Sequence, residues 1–194
     1  EKNTSTWMKV SILRRLFKLY NVDPTELVFY LRDETDETDP VDVSEKQALR
    51  KRYWAYALDA IHEIHTENGS FSNVNPSVQS WISGYFGISG FSITCTTSTS
   101  FAGVEIYLGN ANKDRNKEAF DYLFGFKDEI EAKLDTSLIW SRGEDTKSSK
   151  VHIRLHDVNI ENEEDWARMA KFHSEWSKKL YDVIVPYLRA KYLN

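Results

Sequence analysis

The chain has 194 residues, with 41% hydrophobic, 13% aromatic and 28% charged side chains, the profile of a soluble globular protein and not of a disordered one. One cysteine excludes a disulfide scaffold, 8 Gly and 4 Pro exclude a collagen-like or low-complexity chain, and no uncharged apolar run approaches the ~18 residues of a membrane span. The net charge of −5 argues against a protein whose whole surface grips phosphates.

The start EKNTSTWMKV lacks an apolar signal segment, so a reducing, cytoplasmic setting is expected, with no membrane partner. It also lacks an initiating Met, and the chain is expected to be a piece of a longer protein. Trp7, Val10, Leu13, Phe17 and Tyr20 recur at helical spacing, and Asp23-Pro24-Thr25-Glu26 reads as a second helix start. Residues 1–32 are therefore expected to form a helical appendage or the end of a preceding domain. Residues 33–45 carry seven acids and no base. Their mutual repulsion predicts a solvated linker, with a docking strip for a basic partner as the alternative.

The main domain is expected over 46–194. Ser44 with Gln47 forms a capping-box pattern, and a helix runs from there to about Thr66 with Trp54, Ala57, Leu58 and Ile61 inward. Asn75-Pro76 is read as opening a short helix through Ser80, Trp81 and Ile82, followed by a loop spaced by Gly84, Gly87 and Gly90. Phe91, Ile93 and Cys95, then Val104, Ile106 and Leu108, alternate with polar residues across the turn-prone TTSTS run, which predicts a β-hairpin. A helix follows over 114–134. A second hairpin pairs Leu138–Arg142 with Lys150–His156, and a long helix from about Asn162 carries Trp166, Met169, His173 and Leu180 on one face until Pro186 kinks or ends it. The expected fold is α+β: a four-stranded antiparallel sheet from two β-hairpins in ββα-ββα order, with helices packed on one face. Trp81, Phe91, Ile93, Val104, Ile106, Leu123, Ile153 and Trp166 are expected to share one core.

Few residues announce chemistry. GYFGISG is neither a dinucleotide fingerprint nor a phosphate loop, and reads as a tight connection or, alternatively, as a ligand cradle at Gly84, Gly87 and Gly90. His62 and His65 have the spacing of two metal ligands but no third. Cys95 alternates into an apolar face, where a thiol is a small hydrophobe. Glu131-Ala132-Lys133 falls on a helix face and Asp145-Thr146-Lys147 in a turn, not in the strand context that a metal-dependent nuclease requires. No catalytic residue, metal site or cofactor is expected. Lys150, His152, Arg154 and His156 share one face of the last strand, because a strand's period is two, and Tyr107 joins them from another strand. Such a face either is the polar side of an amphipathic strand or tracks a nucleic-acid backbone and stacks a base. Lys46, Arg50, Lys51 and Arg52 form a second basic cluster, at a helix start.

The run from Ser80 to Phe91, SWISGYFGISGF, resembles the signature loop of the prokaryotic family called domain of unknown function 4268. Val104-Glu105-Ile106-Tyr107, Asn116-Lys117, Phe120-Asp121, Leu123, Lys127, Ile130-Glu131, Leu138, Trp140 and Glu164-Asp165-Trp166 continue the likeness in the same order, over about residues 45–190. The resemblance implies a partner domain of restriction-nuclease-like or other defence-associated proteins, hence a DNA-related context, and it implies no catalytic residues. A non-catalytic accessory or binding domain is the expectation. Its rivals are a protein-interaction or oligomerisation module using the N-terminal helices, and a nuclease-related enzyme.

Overall fold

Period-two alternation governs the centre of the molecule. The computed structural model describes residues 40–193. The chain divides between Val43 and Ser44 into two units, and the second, with the first turn of its leading helix, holds the described elements. The appendage expected at 1–32 and most of the acidic stretch lie outside the described residues.

Helix α1 (Pro40–Ile64) begins earlier than the Ser44 cap suggested. It is followed by strands β1 (Trp81–Tyr85), β2 (Phe91–Thr97) and β3 (Phe101–Leu108), helices α2 (Lys113–Phe124) and α3 (Lys127–Leu134), strands β4 (Ile139–Ser141) and β5 (Ser149–His156), a 3-10 turn at Glu163–Asp165, and α4 (Trp166–Tyr192). The strands form one sheet in the order β1-β2-β3-β5-β4, and every neighbouring pair is antiparallel.

The fold is α+β with an antiparallel sheet, but the sheet has five strands, not four, and the order is three strands, two helices, two strands, one helix. The extra strand is β1, read from sequence as a short helix and a loop. Its inward positions are Ile82 and Gly84, and a Cβ on Gly84 would collide with the ring of buried Phe71. The aromatic mass that marks an inward position thus comes from a loop residue, and the alternation in β1 is half silent. Trp81, expected in the core, begins β1 on the outward side and is 49% exposed. The helix expected over 114–134 is two helices, because Gly125 ends the first.

Phe91, Ile93, Val104, Ile106, Leu123 and Trp166 are buried in one cluster, with Ile153 packed partly buried against it. Helix α4 supplies Met169, Leu180, Ile184 and Leu188 to that cluster. It runs through Pro186 instead of stopping there. The ring deprives the Asp182 carbonyl of its helical donor, and the burial of Ile184, Val185 and Leu188 around it offsets that loss.

Polar pins fix the connections. The buried Lys117 ammonium donates to the carbonyls of Arg142, Gly143 and Ser148 and to Ser149 Oγ at 2.6–3.1 Å, which ties α2 to the β4–β5 turn. Asn116 donates to the carbonyls of Asn110 and Lys147 and accepts from Asn110 N–H. His173, fully buried, lies 2.9 Å from the Thr96 carbonyl through Nε2 and 2.7 Å from Tyr53 Oη through Nδ1. A carbonyl only accepts, so Nε2 carries the proton and Tyr53 donates to Nδ1. Burial holds the His173 pKa down to about 4, against the Thr96 carbonyl, which favours the charged ring.

Two outcomes follow from this packing. Ile106→Ala should cost about 2–5 kcal/mol, read as a lower urea midpoint, and an unchanged midpoint would contradict the inward register of β3. The unfolded chain binds a proton at histidine near pH 6.5 while folded His173 does not until about pH 4, so stability should rise with pH across that window, by roughly 3 kcal/mol from this residue alone. Urea unfolding at pH 7 and pH 4.5 should show the loss on acidification, and His173→Asn should reduce it by this residue's share, leaving that of His152.

Candidate functional site

The alternation that buries one face of the sheet sends a second set of side chains to the other. Across β1, β2, β3 and β5 the register aligns Trp81, Thr96, Gly103 and Arg154 in one row; Ser83, Thr94, Glu105 and His152 in the next; and Tyr85, Ser92, Tyr107 and Lys150 in a third. Phe101 lies opposite His156 at the rim. Helices α2 and α4, which pack most extensively on the sheet, contribute to the buried cluster on the other face. The structure therefore brings Tyr107, Lys150, His152, Arg154 and His156 onto one face, as their spacing predicted.

Their state is not that of a bare basic strip. Lys150 Nζ lies 3.1 and 3.3 Å from the two oxygens of Glu105 and 5.6 Å from the centroid of the Tyr107 ring. The Arg154 guanidinium stacks on Phe101 at 4.3 Å. His152 is buried beside Ser141 Oγ at 3.4 Å, and burial, reinforced by Arg154 and Lys150, holds its pKa down to about 4. It is a neutral ring at physiological pH. Ser83 and Ser92 both hydrogen-bond Thr94, at 2.8 and 3.2 Å, so the floor carries a linked row of hydroxyls.

Two depressions cut this face. One, of about 370 Å³, is lined by Trp81, Ser83, Thr94, Thr96, Glu105, Tyr107 and Lys150, within the range of small-ligand clefts, roughly 300–1,000 Å³. The other, about 260 Å³, lies toward Phe101, His152 and Arg154 and shares Thr96, Glu105 and Lys150 with the first. Trp81, Tyr85, Thr94, Thr96, Phe101 and Glu105 were not picked out from sequence as site residues. For the β2 and β3 members, the polar half of the same alternation was the available signal.

The glycines have structural roles. Gly84 makes room for Phe71. Gly87 and Gly90, at φ of 89° and 81°, shape the β1–β2 connection, and a Cβ on Gly90 would collide with Asn110. None of the three lines either depression.

The remaining candidates are absorbed by architecture. Both ring nitrogens of His65 are engaged, with Asn68 and with Ser177 Oγ, which leaves none for a metal. The resulting Ser177–His65–Asn68 chain imitates a nucleophile relay, but Ser177 is wholly buried and donates to the Ser174 carbonyl. Burial pushes the Cys95 thiol far up. Glu131, expected on a solvated face, accepts from Leu138 N–H and Trp140 Nε1. Arg52 pairs with Glu163 and stands over Trp166. The basin around Arg142 is internally paired, Arg142 with Asp121 and Glu144 and Lys191 with Glu118. Among the described residues no three His, Cys, Asp or Glu side chains converge as a metal site, and no helix is long and apolar enough to cross a membrane.

A family model described as a domain of unknown function (DUF4268) matches residues 49–188. No curated protein and no solved structure matches the chain.

The environment of His152 has a spectroscopic consequence. Its ring resonances should hold their neutral positions down to about pH 5 and titrate near pH 4. An NMR midpoint at the ordinary ~6.5 would show instead a solvated ring, detached from the floor of the face.

Proposed function

The chain belongs to the family described as a domain of unknown function (DUF4268), and we propose that it is a non-catalytic binding domain that holds a single nucleic-acid strand within a DNA-associated protein of the restriction or defence kind. The observation that carries this reading is the outer sheet face, where Trp81, Tyr85, Phe101 and Tyr107 stand beside Lys150 and Arg154. Trp81 and Tyr85 are 49% and 66% exposed, and large apolar rings held in water at one site mark a surface built for contact. Flat rings on a sheet face suit unstacked bases, which a duplex keeps out of reach. Four residues apart on one strand, Trp81 and Tyr85 are separated by about 13 Å, and Tyr85 and Tyr107, two strands apart, by about 10 Å, so the rings form a platform several bases long.

The charge on the face supports the same division of labour. Glu105 already engages Lys150, and Arg154 lies on Phe101, so stacking supplies most of the affinity and phosphate contacts contribute little. A second reading, a protein contact, draws on Phe124, half exposed against Trp140 of β4.

Fluorescence anisotropy with labelled single strands at low ionic strength tests the proposal. Binding should favour single strands over duplex. Trp81→Ala and Tyr107→Ala should each weaken it by about 1–3 kcal/mol. The salt slope should be about 0.7, for one phosphate contact at Arg154, and fall toward zero in Arg154→Ala. No detectable binding, or binding indifferent to both aromatic substitutions, overturns the reading.

A further inference from the structure

The centre of the face carries a buried acid, which a phosphate-gripping surface has no reason to hold. Glu105 is 8% exposed, and Lys150 is its hydrogen-bond partner among the described residues. An ionised carboxylate offers about four lone-pair sites, and one ammonium does not use them all. Both residues line the depression walled by Trp81 and Tyr107, where Thr94 and Thr96 add hydroxyls. A negative acceptor pair, a positive donor beside it and an aromatic wall are thus assembled in one cleft.

We propose that this depression takes one unpaired guanine base. The inference rests on the strand-binding reading above and names the base that the strand presents. Guanine's Watson–Crick edge carries two adjacent donors, N1–H and N2–H, next to the acceptor O6. Lys150 Nζ faces both Glu105 oxygens, at 3.1 and 3.3 Å; turned toward O6, it supplies the donor that O6 requires and leaves the Glu105 carboxylate to accept the two guanine donors side by side. The other bases do not match. Adenine and cytosine each place a single amino donor beside ring acceptors, which would face the carboxylate with lone pairs. Thymine and uracil have one donor between two carbonyls. Each leaves part of a buried charged pair without a partner, which costs more than the mere absence of a contact. Stacking on Trp81 or Tyr107 holds the base in place without distinguishing among the four, so the edge contacts set the preference.

The guanine has two sources, a base splayed from a strand and a free nucleotide, and the experiment separates them. The full chain is titrated by anisotropy, at low salt, with labelled oligothymidylates that carry one central dG, dA, dC or dT. In parallel, GMP and AMP are titrated against the intrinsic tryptophan fluorescence. The dG strand should bind roughly ten-fold tighter or more than the other three, and Glu105→Gln, which places an NH₂ or a single acceptor against two donors, should abolish the preference. Equal affinity for all four strands overturns the guanine pocket and leaves the strand-binding reading standing. Absence of strand binding with selective GMP binding supports the pocket and removes the strand. Absence of both overturns both. Where Glu105→Gln fails to fold, as judged by far-UV circular dichroism, the four-strand comparison on the unaltered chain decides alone.

Discussion

The orientation of β3 between β2 and β5 is the constraint on which the other features rest. In the observed register Val104 and Ile106 enter the core while Glu105 and Tyr107 face outward, opposite His152 and Lys150. A slip of one residue would exchange the two faces. It would push the Glu105 carboxylate among Ile93, Leu123 and Met169 and expose the apolar set, and an unpaired charge in such a place costs several kcal/mol. The sheet has essentially one way to be assembled, and the chemistry of its outer face is the complement of that choice.

The residues that carry the family likeness separate into two groups on this scaffold. Asn116, Lys117, Glu131, Trp140 and Trp166 spend their polar atoms on backbone carbonyls, amides or each other, closing turns and helix ends that would otherwise leave buried groups unpaired. Lys117 shows the principle most clearly, since a buried ammonium is tolerable only when acceptors surround it. Trp81, Glu105 and Tyr107 close no turn and cap no helix. They converge on one cleft instead.

Much of this was legible in the sequence, for reasons that also explain the failures. The β2–β3 hairpin, β5 and α4 announce themselves because most of their inward positions bear a large apolar side chain of their own, as Phe91, Ile93, Val104, Ile106, Val151 and Leu180 do. Strand β1 does not, since Gly84 surrenders its inward volume to Phe71, a loop residue thirteen positions earlier, and no local pattern contains that exchange. Pro186 misleads in the opposite sense: its local rule holds, but tertiary burial of its neighbours outweighs one lost helical bond. At the site, the cations on β5 were visible from spacing alone. Glu105 was not, because its meaning depends on a partner 45 residues away, brought opposite by strand pairing.

That pairing also decides what kind of ligand the face prefers. A phosphate approaching Lys150 must compete with Glu105 for the same ammonium, and it meets the repulsion of a carboxylate 3.1 Å from that ammonium. A neutral, flat heterocycle with donors and an acceptor on one edge brings no charge of its own: it exchanges hydrogen bonds with both members of the ion pair and covers the apolar rings around it. In a chain of net charge −5, where long-range attraction of a polyanion is weak, recognition through base edges and stacking is the route that the local physics leaves open.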